Sequence, residues 1–218
     1  MPLATAPALA QDLAAAAARL RASTVAVLAH PGSQGSGIVW RADGLIVTNA
    51  HVARTEHVTV LLPDGRRSAA RLVARDPRRD LALLQADADG LTPAPLGDPA
   101  ALRPGQLVLA FGHPLGFANA LAIGVVHGTL APQTRQYGRS PWARAGAALI
   151  RADVRLLPGN SGGPLADASG RVVGVNTMVV GGLGVAVSVR EVDALLAAEP
   201  TADRTRHSDT RPADRYAA

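Results

Sequence analysis

An all-β protein of barrel or sandwich type is predicted by three features of this sequence. Short runs rich in Val, Leu, Ile and Ala recur at close spacing from Thr24 onward. Asp-Gly pairs and related turn signals punctuate them. Helical periodicity is confined to the two ends. The 218 residues are enough to bury a sizeable core in one all-β unit, so length does not call for extra domains. Aromatic residues are only 3% of the chain, so that core must be aliphatic.

The N-terminal segment, 1–23, is expected to carry a helix over 7–22. Alanine is abundant there, and Leu9, Leu13, Ala16 and Leu20 recur at helical spacing. Strands are expected at 25–29, 36–40, 45–48, 57–62, 69–74, 81–85, 107–111, 122–129, 148–153, 172–178 and 184–189. Asp43-Gly44 and Asp64-Gly65 are hairpin signals, and Asp167-Ala168-Ser169-Gly170 is a longer turn. A second helix should follow Ser188. Ser188 and Glu191 have capping-box spacing, and Val192, Leu195 and Leu196 supply an apolar face. Residues 199–218 are polar and charged and are expected to form a disordered tail.

Composition removes several classes of function. There is no cysteine, which excludes disulfides and thiolate metal sites and leaves the redox compartment open. Every basic residue is arginine, and the net charge is +5. The arginines concentrate between Arg66 and Arg79. Asp76 interrupts that run, Asp64 and Asp80 flank it, and no aromatic residue accompanies it. A solvated hairpin surface explains it better than nucleic-acid binding. No apolar run reaches the ~20 residues of a membrane helix. No basic residue precedes Arg19, and the alanines at 14–18 are not a strongly apolar signal core, so a cytoplasmic protein is expected.

The strongest chemical signal is Pro158-Gly159-Asn160-Ser161-Gly162-Gly163-Pro164. A nucleophilic serine needs an exposed hydroxyl on a tight turn, with backbone N–H groups aimed at the developing oxyanion. Glycines provide that room. The segment also satisfies G-x-S-x-G, but the nucleophile elbow of α/β-hydrolases requires an acid and then a histidine after the serine. Only His207, in the charged tail, follows Ser161. The base must come earlier, and His51 closes an apolar run at Thr48-Asn49-Ala50-His51. Asp80 opens the apolar strand Leu81-Ala82-Leu83-Leu84, where an unpaired carboxylate would be costly. An imidazole that becomes cationic would be its partner. Gly32–Gly37 suggests a phosphate loop but precedes a strand, so it fits no nucleotide fingerprint. No His, Asp and Glu cluster has metal-ligand spacing, since His51 and His57 do not share a helix turn. Neither metal nor cofactor is therefore expected.

Five segments in order resemble the protease domain of the HtrA (Deg) family. They are Gly35-Ser-Gly-Ile, Leu45-Ile-Val-Thr-Asn-Ala-His51-Val, Asp76-Pro-Arg-Arg-Asp80-Leu-Ala-Leu-Leu, Ala110-Phe-Gly-His-Pro-Leu-Gly116 and Gly159-Asn-Ser-Gly-Gly-Pro164. The resemblance runs from about Thr24 to Leu196. It implies a double six-stranded β-barrel of trypsin/chymotrypsin type spanning 24–198, with the barrels meeting within 87–103 and a helix at each end. It implies a serine endopeptidase acting on unfolded or flexible polypeptide, with Ser161 as nucleophile, His51 as general base and Asp80 orienting His51. Gly159 and Ser161, with Asn160 beside them, would form the oxyanion hole. Leu156, with Met178 or Val179 opposite, would line an apolar specificity pocket. Arg155 would favour an acidic group there if it pointed inward.

The resemblance also implies a homo-oligomer, a trimer in the family, although the segment before Thr24 lacks the aromatic residues that family members use for it. His113 stands where the family often has asparagine and is expected to be structural. Only 199–218 follows the barrels, so no PDZ domain is expected in this sequence. That motivates a second reading, a protease fold that binds peptides but is latent or poorly active. Most of the family works in the cell envelope, which makes periplasm or envelope the alternative compartment.

Overall fold

In a computed structural model, residues 6–30, 33–114, 119–131 and 147–197 are described. The tail expected at 199–218 lies outside the described residues.

Among the described residues the chain forms helix α1 (Ala6–Ala22), strands β1 (Thr24–His30), β2 (Ser33–Val39), β3 (Leu45–Thr48), β4 (His57–Leu61), β5 (Arg67–Asp76) and β6 (Leu81–Ala86), then β7 (Leu107–Gly112), β8 (Ala120–Leu130), β9 (Leu149–Asp153), β10 (Pro164–Asp167), β11 (Val172–Val180) and β12 (Leu183–Ser188), and helix α2 (Val189–Ala197). The strands close into two six-stranded barrels with all pairs antiparallel, one ordered β1-β2-β3-β6-β5-β4 and the other β7-β8-β9-β12-β11-β10. The order is the same permutation in both, a repeat of topology that the sequence does not display. Closure leaves no sheet edge along most of each barrel.

The expected strands all form. β10 is the addition. It is short, opens on Pro164 and follows the serine turn directly, so it carries no alternating pattern of its own. The expected helix at Ser188 forms, but not as a capping box. The Ser188 hydroxyl accepts from Arg190 N at 3.3 Å, whereas the Glu191 carboxylate is used by Ala148 N and Arg79.

Three apolar clusters build the core. Val25, Val27, Ile46, Val60, Ala82 and Leu84 fill the first barrel. Val108, Ala110, Ile150, Leu165 and Ala186 fill the second. The third cluster lies between the barrels and joins Ile38, Leu45, Val47, Leu81 and Leu83 to Leu109, Phe111, Val175 and Val187. Strands β3 and β6 thus bury both faces, one into their own barrel and one into the seam. That is why they read as continuous apolar runs. Ala16 and Leu20 of α1 and Val192 and Leu195 of α2 join the seam cluster. The seam brings the ends of β3 and β6 against the turn that precedes β10.

Candidate active site

His51 and Asp80 come from neighbouring strand ends of the first barrel. β3 and β6 pair with Thr48 opposite Ala82, so the turn after one and the residue before the other share an end of the barrel. His51 Nδ1 lies 2.8 Å from Asp80 Oδ2, and His51 N donates to Asp80 Oδ1 at 3.0 Å. Asp80 is buried and the His51 side chain is half-exposed. Thr177 Oγ1, from β11 of the second barrel, also donates to Asp80 Oδ2. The Asp80 backbone has φ of 57°, in the left-handed region that aspartate tolerates better than most residues. Asn49 Nδ2 holds its carbonyl at 2.9 Å.

Ser161 sits on a turn clamped between the barrels. Asn160 N donates to Leu157 O at 3.0 Å, and Gly159 has φ of +103°. With Pro158 second and Gly159 third, Leu157–Asn160 has the signature of a type II turn. The N–H groups of Asn160, Gly162 and Gly163 are bonded to Leu157, Asn176 and Asn160 carbonyls. Those of Gly159 and Ser161 have no acceptor among the described residues. Two free N–H groups flank the serine, while Asn160 is buried and its N–H is already used. A Cβ on Gly162 would lie 2.1 Å from the Ser36 carbonyl oxygen, with φ of +84° besides, so no other residue fits there. The Ser161 hydroxyl donates to Thr177 O at 3.2 Å, which ties it to the residue that contacts Asp80. Contacts thus run from His51 to Asp80, from Asp80 to Thr177 and from Thr177 to Ser161, while among the described residues no hydrogen bond joins Ser161 to His51 directly.

The residues expected in the specificity pocket part company. Leu156 packs against the second barrel's inner cluster, with its Cδ1 3.2 Å from where a Cβ on Gly184 would be. Gly184 is the register partner of Val179, which is half-exposed. Met178, one residue earlier and so on the opposite face, lines a cavity of about 600 Å³ together with His51. Arg155 is exposed, and burial puts Leu156, not Arg155, inward.

Residues 35–175 match the family described as trypsin-like peptidase domain. The chain belongs to the trypsin-like peptidases. Among curated relatives, this trypsin-like peptidase is 43% identical over 148 residues to a probable periplasmic serine endoprotease, DegP-like, of Marinomonas sp. (strain MWYL1), covering 67% of this chain and 30% of that protein. It is 40% identical over 166 residues to Protease Do-like 1, chloroplastic, of Arabidopsis thaliana, covering 75% of this chain and 37% of that protein. The chain therefore spans roughly a third of these relatives' length. Among solved structures, the HtrA-type protease AlgW with tripeptide superposes with a TM-score of 0.75 at 31% identity, over 85% of this chain and 62% of that one. The HtrA resemblance read from the five segments holds.

One expectation is corrected. The cytoplasmic compartment inferred from the N-terminal composition is overturned by these relatives, whose names are periplasmic or chloroplastic. Among the described residues no helix is long and apolar enough to cross a membrane.

Three residues of this trypsin-like peptidase were not singled out by sequence. Ser36 N donates to Ser161 O at 2.8 Å, and Ser36 Oγ donates to Gly159 O at 2.7 Å and accepts from His113 N at 3.0 Å. Asn49 and Thr177 hold Asp80. Ser36 belongs to the Gly35-Ser-Gly-Ile segment that carried the resemblance, which was the one signal available for it.

Proposed function

We propose that the chain is a serine endopeptidase that hydrolyses peptide bonds in unfolded or flexible polypeptides through an acyl-enzyme, without ATP, and that residues 24–198 carry the activity. The observation that carries this reading is the 2.8 Å contact of His51 with a buried Asp80 that is itself tied, through Thr177, to the Ser161 hydroxyl. His51 Nε2 takes the Ser161 proton as Oγ attacks the carbonyl, then returns it to the leaving amine. Asp80 fixes the imidazole with Nδ1–H toward it and stabilises the imidazolium. The free N–H groups of Gly159 and Ser161 receive the oxyanion.

An extended substrate has a place to bind. β11 pairs with β10 only as far as Val175, so among the described residues its second edge has no strand partner beyond Asn176, while Met178–Val180 pair with β12 on the other. A peptide adding there as an antiparallel strand would gain main-chain bonds independent of sequence. That suits flexible polypeptide. The Leu156 and Val179 side takes an apolar side chain at the scissile bond. The names of the relatives support a workplace outside the cytoplasm, in the periplasm or cell envelope.

Fluorophosphonate labelling and hydrolysis of an unfolded protein test the reading together. The wild-type chain should label at Ser161 and cut, and Ser161→Ala should do neither while keeping its circular dichroism. Turnover retained in Ser161→Ala overturns the assignment. A wild-type chain that never labels supports the latent peptide binder instead.

A further inference from the structure

The cavity of about 600 Å³ beside His51 carries positive charge that nothing in the mechanism uses. Its walls include Met178 and Pro77, and the charge comes from Arg54 and Arg75. Both arginines are anchored by backbone. Arg75 Nε and Nη2 donate to Ala50 O at 3.0 and 2.9 Å, and Arg54 Nε donates to His51 O at 2.8 Å. Those bonds hold the guanidinium groups at the cavity and leave Nη donors of each uncommitted. Neither arginine has an ion-pair partner among the described residues. The acidic group lining the cavity, Asp80, is committed to His51 and Thr177, and Asp76 nearby in sequence is committed to Arg79.

The substrate's direction places one side chain here. Call P1 the residue whose carbonyl reaches Ser161 and P2 the one before it. On an extended peptide alternate side chains point to opposite faces. With P1 toward Leu156 and Val179, P2 points to the Met178 and His51 side, into the cavity. We propose that Arg54 and Arg75 select an acidic residue, Asp or Glu, at P2. The inference rests on the protease reading and adds a substrate class to it. A carboxylate there would accept charge-assisted hydrogen bonds from pre-positioned forks, where a neutral amide gains less and a cation is repelled.

The test compares internally quenched peptides with Val at P1 and Glu, Gln, Ala or Arg at P2. Wild-type kcat/KM should favour Glu over Gln by about five-fold, the upper range for a solvent-accessible ion pair, and the preference should shrink with added salt. In the double variant Arg54→Gln, Arg75→Gln the Glu-to-Gln ratio should fall to near one. In Arg75→Glu the Arg peptide should become the better substrate. Each ratio is taken within one enzyme, so a loss of folded protein cancels. A wild-type ratio of one with active cleavage overturns the inference and leaves the protease reading intact, as does a ratio unchanged in the double variant. Failure to cut any peptide, with no fluorophosphonate label at Ser161, overturns both.

Discussion

Ser36 holds both sides of the Ser161 turn, through its backbone to Ser161 and through its hydroxyl to Gly159. Thr48 Oγ1 in turn donates to the Ser36 carbonyl at 2.7 Å. A single residue of the first barrel thus positions the second barrel's serine. His113 completes this contact from the other side, since its N–H donates to Ser36 Oγ. Its imidazole is buried, and burial pushes its pKa below the ordinary histidine range, against a smaller opposing contribution from the Thr24 backbone. The folded protein therefore prefers His113 neutral. The unfolded chain takes up the proton first as pH falls, so stability is full above about pH 6.5 and is lost as pH drops through the folded value. Urea midpoints at pH 7.5 and 5.5 should show this loss. His113→Asn removes the titrating group and should reduce the difference between the two midpoints. An equal difference in the variant would assign the acid sensitivity to other groups.

Helix α1 shows how far an element can be read from its own residues. The spacing of Leu13, Ala16 and Leu20 predicted a face, and that face is the one that meets the seam, with Ala16 and Leu20 fully buried. Leu9 was expected on it and is exposed, because the helix outruns the surface it packs on. What it packs on was not legible. Arg19 donates twice to Ser169 O, 150 residues away, and Gly170 lies against Ala16. Leu20→Ala should cost about 2–5 kcal/mol in urea unfolding, as for other buried leucines. The remaining folded protein should still label with fluorophosphonate below its midpoint. A cost under about 1 kcal/mol would mean that α1 only rests on the barrels. The same contrast runs through the site. Asp80 could be read because a carboxylate opening an apolar strand advertises a partner, and Ser161 because its glycines are so close. Thr177 and Ser36 make their contacts 97 and 123 residues away along the chain, and nothing local marks them. β3 and β6 could be recognised as strands but not given an inner face, since both faces are buried.

At the scale of the whole molecule, the site exists only while the two barrels stay docked, because His51 and Asp80 belong to one and Ser161 and Thr177 to the other. Apolar contacts in the seam supply area without fixing its register. Polar bonds across it do that. Besides Ser36, the network of Asp76, Arg79 and Glu191 reaches from the residues before Asp80 to α2. Arg79 Nη1 meets Asp76 Oδ2 at 2.7 Å and Arg79 Nε meets Glu191 Oε2 at 2.8 Å, while Glu191 Oε1 accepts from Ala148 N at 2.8 Å. Burial alone would raise the Asp76 pKa, but Arg79 and the backbone N–H groups of Arg79 and Arg78 outweigh it and hold the carboxyl below its usual range. A depressed carboxylate stabilises above its unfolded pKa and stops doing so as pH falls through the folded one, so the network should weaken only in acid. At neutral pH the two roles of Glu191 can be separated. Glu191→Ala leaves Ala148 N without its acceptor and Arg79 with one partner, and should cost about 1–3 kcal/mol in urea unfolding. Glu191→Gln keeps an oxygen for Ala148 N and loses only the ion pair. Because the Arg79 side chain is 36% exposed, solvent screens that pair, and the cost should be under about 1 kcal/mol. Equal losses in the two variants would mean that the ion pair with Arg79, which joins α2 to the first barrel, and not the hydrogen bond to Ala148 beside β9 of the second, carries the contribution of Glu191.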